Sequence, residues 1–227
     1  ASLGRIVPDQ KNFDKLCQEK MVRRDRQTLV TSSGSLLDVE FICHSFNVLD
    51  QAMVCFTLRD ITERVEMENK MMYLSHHDTL TGLYNRNYFE EELRRLENSR
   101  QHPISVFVLD MDNLKKVNDQ YGHAAGDALL KCVAQVLLTC FRDEDILSRI
   151  GGDEFAILLP KTNAEATEKI QQRMERTLKH FNHHHPEIPL NLSIGTATSN
   201  GQKPLVEVLH EADDMMYQQK RARANHP

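Results

Sequence analysis

The sequence predicts an α/β domain of about 150 residues behind a smaller β-rich segment. Two observations predict it. Downstream of residue 76, apolar stripes at helical spacing alternate with strand-like runs, whereas residues 21–60 hold three short stretches of strand character. The 227 residues suffice for one full domain and a smaller piece.

In chain order, a helix is expected near residues 9–20, followed by the strands "MVRRDRQTLV", "LLDVEFICHSF" after the turn "TSSG", and "AMVCFTLRD". The second alternates, with Leu37, Val39, Phe41 and Cys43 on one face and Asp38, Glu40 and His44 on the other. So thin a core is expected to pack against something outside itself or to be part of a larger domain. From Ile61 to Leu74 the chain is helix-prone, with Met67, Met71 and Leu74 at i, i+4 and i+7; a linker helix and a short dimer helix are both open. His76 and His77 read as loop.

Next come a helix in "YFEEELRRLE" and a buried strand in "ISVFVLD". The helix "DALLKCVAQVLLTCF" sets Leu130, Val133, Leu137 and Cys140 on one face, and a hairpin spans residues 146–159. The helix "AEATEKIQQRMERTLKHF" carries a stripe of Ile170, Met174, Leu178 and Phe181. The strand "LNLSIGTAT" and a helix from Pro204 onward close the domain.

Composition excludes several classes. A net charge of −5 argues against a general nucleic-acid surface, so any anionic ligand must be held locally. No apolar run approaches the ~20 residues of a membrane span, and no signal pattern opens the chain. Cys17, Cys43, Cys55, Cys132 and Cys140 are an odd set without metal-ligand spacing, as expected of reduced thiols in a cytoplasm. His183, His184 and His185 are consecutive and cannot all converge on one ion, so they read as loop.

The chemistry gathers on acids. Asp110 ends an apolar strand and Asp153 lies in the turn of the hairpin containing "GGDEF". In one sheet, strands ~5 Å apart would bring these acids to one end. Hard oxygen ligands from two segments suit magnesium carrying phosphates better than zinc. Gly151 and Gly152 would allow positive φ and close approach of a bulky ligand. Taken alone, "GGDE" is also an ordinary polar turn.

Other motifs change that reading. "DTLTGLYNR" at 78–86, "DMDNLKKVNDQYGHAAGDALL" at 110–130, "RIGGDEF" at 149–155, "LSIGTAT" at 192–198 and "EADDMMYQQK" at 211–220 together resemble the diguanylate cyclase, or GGDEF, family. The resemblance implies a palm-like α+β domain with a mostly antiparallel sheet flanked by helices. It also implies condensation of two GTP into cyclic di-GMP with release of pyrophosphate, across a homodimer. Asp110, the Met111 carbonyl and Asp153 would hold magnesium or manganese, two ions per site, with Glu154 beside them as base or ligand. Lys115 and Lys220 would meet phosphates, while Asn118 and Asp127 would read guanine, whose N1–H and N2 amine form a donor pair that adenine lacks. Asp127 also suits a helix N-cap. "RDED" at 142–145 resembles the family's RxxD inhibitory motif, in which Arg142 and Asp145, with Arg173 from the next helix, would bind the product; a surface ion pair is the alternative. The family's terminal Gly-Arg-Asn is here Arg223-Ala224-Asn225, so no role passes to that arginine.

Residues 1–62 resemble the C-terminal part of a PAS sensor domain, above all in "RDITER" at 59–64. The expected division is 1–62 sensor-like, 63–75 linker helix and 76–227 GGDEF domain. The half-sized sensor segment and the lack of an initiating methionine suggest a longer natural protein. The expected location is the cytoplasm, alone or as the cytoplasmic part of a membrane-attached chain. A catalytically silent receptor for cyclic di-GMP or GTP is the competing reading, against which the intact acids count.

Overall fold

The computed structural model describes residues 23–30, 34–48, 51–187 and 189–224. The helix expected near residues 9–20, Cys17 and Asn225 lie outside the described residues, as do the side chains of Phe41, Cys43 and His44. The chain divides into two compact units, Ala1–Met72 and Tyr73–Pro227. Among the described residues no helix is long and apolar enough to cross a membrane.

The first unit is an antiparallel meander of β1 (Arg23–Val30), β2 (Leu36–Val48) and β3 (Gln51–Asp60). Val39 is buried at its centre, paired with Gln27 on one side and Asp60 on the other. Helix α1 (Thr62–His76) starts where the Asp60 carboxylate accepts from Thr62 N at 2.9 Å, supplying an acceptor for one of the unpaired amides of a helix start. The Thr62 hydroxyl in turn accepts from Asp38 N at 2.9 Å, which ties the helix start to β2. None of the residues of α1 is buried, and Met67, Met71 and Leu74 are exposed. His76 is the last residue of α1, and His77 bridges to Tyr84, so neither histidine sits in a free loop.

The second unit is a five-stranded sheet in the order β4-β6-β7-β5-β8: β4 (Tyr84–Asn85), β5 (Ile104–Met111), β6 (Ile146–Arg149), β7 (Glu154–Leu159) and β8 (Leu192–Ser199). All pairings are antiparallel except the two-residue β4–β6 contact. This is the α+β arrangement of a mostly antiparallel sheet flanked by helices.

Every residue of β5 is buried, and its two faces feed two cores. Phe107 and Leu109 pack with helices α4 (His123–Cys140) and α5 (Ala164–His184), through Leu130, Val133, Leu137, Met174 and Leu178. Val106 and Val108 pack with α2 (Arg86–Glu97) and α6 (Leu205–Ala224), through Phe89, Leu93, Val208 and Ala212. Burial on both faces explains why this strand reads as one continuous apolar run. Asn85 starts α2 as N-cap, accepting from Tyr88 N at 3.0 Å.

Gly195 of β8 is where α6 comes closest to the sheet. A Cβ there would lie 1.9 Å from the carbonyl oxygen of Ala212, so only glycine admits the helix at this depth. The last turns of α6 are thereby held over the end of β5 that carries the acids.

Candidate active site

The register of the sheet assembles the acids. Asp110 pairs with Glu154 across β5 and β7 and with Ser193 across β5 and β8. Beyond the start of β7 the ladder continues through Met111 N donating to Asp153 O at 2.8 Å, so the glycine turn is fastened to the end of β5. Asp110, Met111, Asp153 and Glu154 therefore meet at one end of the sheet, as the sequence predicts.

Asp110 is 3% exposed. Burial pushes its carboxyl above the usual range and Asp153 and Asp112 push the same way, while Lys220 pulls it down. The Lys220 ammonium stands 2.6 Å from Asp110 Oδ1. Among the described residues that ammonium is the one cation in contact with the buried oxygen. For Lys220, partial burial opposes the charge, but the contact with Asp110 and the nearby Asp153 and Asp112 outweigh it and raise its pKa.

Neither Gly151 nor Gly152 takes positive φ, contrary to expectation. Their role is spatial. A Cβ at Gly151 would fall 2.4 Å from Glu154 Oε2, whereas one at Gly152 would meet nothing within 4 Å, leaving the turn open to a ligand. The turn is braced from behind by Arg149, which donates to Gly152 O at 2.8 Å and to both oxygens of Asp78 at 3.2 and 3.3 Å. Burial works against the charge of Asp78, yet its bonds from Thr81 and Arg149 hold the carboxyl below the usual range. Asp78 and Arg149 were visible only as parts of motifs; nothing in their spacing announces the pair.

The helix α3 (Leu114–Tyr121), absent from the sequence expectations, carries Lys115 and Asn118. It is separated from α4 by Gly122 alone, whose φ of 84° turns the chain sharply. Lys115 is exposed at the start of α3, and among the described residues no ion pair engages it. Asn118 Oδ1 is buried without a partner and faces Gly126, where a Cβ would intrude to 2.0 Å. Gly126 is thus a further residue of the site that sequence reasoning missed. Asp127 is exposed inside α4 rather than at its N-cap, which Gly122 occupies. The α3–α4 corner thus sets Asn118 against Gly126, the residue before Asp127, on elements other than those that carry the acids.

Arg223, given no role from sequence, donates to Asp112 Oδ2 at 3.0 Å and to Leu192 O at 2.6 Å. Gln219, one turn earlier, accepts from Ile194 N.

A second cleft of about 210 Å³ is lined by Arg142, Asp145, Lys161, Lys169, Ile170 and Arg173. It brings together the three residues of the expected product site. Asp145 is 7% exposed, and burial pushes its carboxyl up although Arg142 N donates to it at 2.8 Å. The Arg142 guanidinium, with its side chain 76% exposed, approaches Glu144 at 3.4 Å and not Asp145, so the simple Arg142–Asp145 ion pair does not form. Arg173 donates to Cys140 O.

His183 and His184 lie in the last turn of α5, with His185 as its C-cap, which replaces the expected loop. His180 and His184 line a 420 Å³ groove with Cys132, Val136 and Phe181. Among the described residues no group of three or more His, Cys, Asp or Glu is arranged to hold a metal ion.

Comparison with known proteins gives consistent matches. A family model, "Diguanylate cyclase, GGDEF domain", matches residues 75–226. The chain is 35% identical over 196 residues to the probable diguanylate cyclase DgcE of Escherichia coli (strain K12), covering 83% of this chain and 18% of that protein. It is 33% identical over 234 residues to diguanylate cyclase DosC of the same strain, covering 99% and 48%. A solved structure of the coiled coil and GGDEF domain of DgcB from Caulobacter crescentus, in complex with c-di-GMP, is similar with a TM-score of 0.63 at 25% identity, covering 70% of this chain and 88% of that one. The chain spans less than half the length of either curated relative.

Proposed function

Because this chain belongs to the GGDEF family of diguanylate cyclases, we propose that it condenses two molecules of GTP into cyclic di-GMP and two pyrophosphates. The observation that carries the reading is the meeting of the buried Asp110 carboxylate with the backbone-fastened Asp153 turn at one end of the sheet. Two carboxylates and the Met111 carbonyl fit magnesium or manganese, which keep several positions for water and phosphate oxygens. Two such ions, when bound, supply neutralisation of the triphosphate and acidification of the attacking 3′-hydroxyl.

The chain's own residues do the rest. Lys115, free of ion pairs among the described residues, and Lys220 reach the phosphates as point charges. The open face of Gly152 admits them to the backbone. Asn118 and Asp127 take the guanine edge, and the unpartnered Asn118 oxygen is an acceptor for a guanine amine. Glu154, opposite Asp110 in register, receives the 3′-hydroxyl proton or completes the metal's ligands. The 3′-oxygen of one GTP bonds to the α-phosphorus of the other as the bond to pyrophosphate breaks, so two domains must face each other. Residues 63–75 serve as the helix that brings them together, and residues 1–62 as part of a PAS-like input segment. Product returning to the cleft of Arg142, Asp145 and Arg173 slows turnover.

Purified chain incubated with GTP and magnesium, with ATP as control, tests this by chromatographic separation of the nucleotides. Cyclic di-GMP from GTP alone, accumulating and then stalling, is expected. No product at high protein concentration, after stripping bound nucleotide, would leave a receptor instead of an enzyme.

A further inference from the structure

The positive charge on Asp110 in this structure belongs to the protein itself. Lys220 Nζ stands 2.6 Å from the carboxylate oxygen that a divalent ion needs, and two cations cannot share that position. A carboxylate buried to 3% exposure is costly without a countercharge, so something must hold it when no metal is bound. The placement is built from three independent contacts. Gly195 of β8 lets the Ala212 carbonyl of α6 settle against the sheet, Gln219 accepts from Ile194 N, and Arg223 donates to Leu192 O. Arg223 also takes Asp112, which leaves Lys220 as the cation of that helix on Asp110. The Lys220 side chain is nevertheless 41% exposed, and its four-carbon stem lets the head swing while the helix stays still.

We propose that Lys220 is a placeholder cation: it neutralises Asp110 until a divalent ion arrives, then passes to the nucleotide phosphates. The inference rests on the metal-binding reading of Asp110. Metal and nucleotide then favour each other's binding through one ammonium, because the nucleotide draws away the metal's competitor. Losing the lysine has opposite effects on metal binding without and with nucleotide: the metal alone binds more tightly, and the help it receives from nucleotide shrinks.

The test is manganese binding to the whole chain, followed by electron paramagnetic resonance of the free ion, first with the metal alone and then with a non-reactive GTP analogue. Lys220→Met is expected to bind manganese alone roughly three- to tenfold more tightly than the parent, the size expected for freeing a half-exposed ion pair. Lys220→Gln should repeat the gain, and thermal melts check that both remain folded. Arg221→Met removes the same charge from the neighbouring residue, whose guanidinium lies over the Tyr217 ring, and should change affinity by less than about twofold. The analogue should tighten manganese binding more in the parent than in Lys220→Met. Equal or weaker manganese binding by the Lys220 variants overturns the proposal, and an equal gain in Arg221→Met shows a general field effect and overturns it too. Manganese binding that Asp110→Asn leaves unchanged in every variant overturns the metal reading itself.

Discussion

Asp78 accepts from the Thr81 amide and hydroxyl and from Arg149, and these bonds decide its charge. Its folded pKa lies below the ordinary value, so its contribution to stability is complete above the unfolded pKa near 3.8 and is lost as pH falls through the lower folded value. Asp78→Asn should therefore lower stability by about 1–2 kcal/mol at neutral pH, with the deficit closing in acid. Thermal melts of both proteins along a pH series check this; a deficit constant with pH would assign the loss to shape instead of charge. At the same scale, Asp153→Ala should reduce turnover to background while cyclic di-GMP still binds at the Arg142 cleft, as read by calorimetry. Full turnover in that variant would remove Asp153 from the metal site. The acids were legible because one ends an apolar strand and the other occupies a hairpin turn. The lysine on Asp110 was not, because 110 residues separate them and a lysine expected at phosphate has no sequence mark that sends it to a carboxylate.

Periodicity located β8 and the long helices of the second unit because their buried faces repeat at 2.0 or 3.6 residues, whereas β5 was read from a continuous apolar run and the two-residue β4 was missed. It did not reveal α3, which buries none of its residues and is parted from α4 by a single glycine of positive φ. Strand direction was equally hidden: β5 is buried on both faces and would read the same in a parallel sheet, so antiparallel pairing came from family resemblance and not from pattern. The packing of α6 on β8 depends on one position. Gly195→Ala forces a methyl group into the Ala212 backbone, at an expected cost of about 2–3 kcal/mol or more. Urea unfolding measures it, and activity should fall with it, because α6 can no longer set Lys220 over β5. An unchanged unfolding midpoint would mean that the helix shifts freely.

At the scale of the molecule, catalysis on the proposed reading needs two domains, and α1 exposes Met67, Met71 and Leu74 without burying any residue of its own. Residues 76–227 alone should therefore dimerise more weakly and show lower specific activity than the whole chain at equal concentration. Sedimentation and product assays compare them; equality in both would free the upstream residues from any part in the encounter. The bonds from Gln219 and Arg223 to β8 have one more consequence. This strand is the long outer margin of the sheet, and there its amide at Ile194 and carbonyl at Leu192 are met by α6 side chains as a neighbouring strand would meet them. A chain cut before Gln219 would offer an unpaired ladder to any extended peptide, and should precipitate by adding strands from its own copies rather than by unfolding.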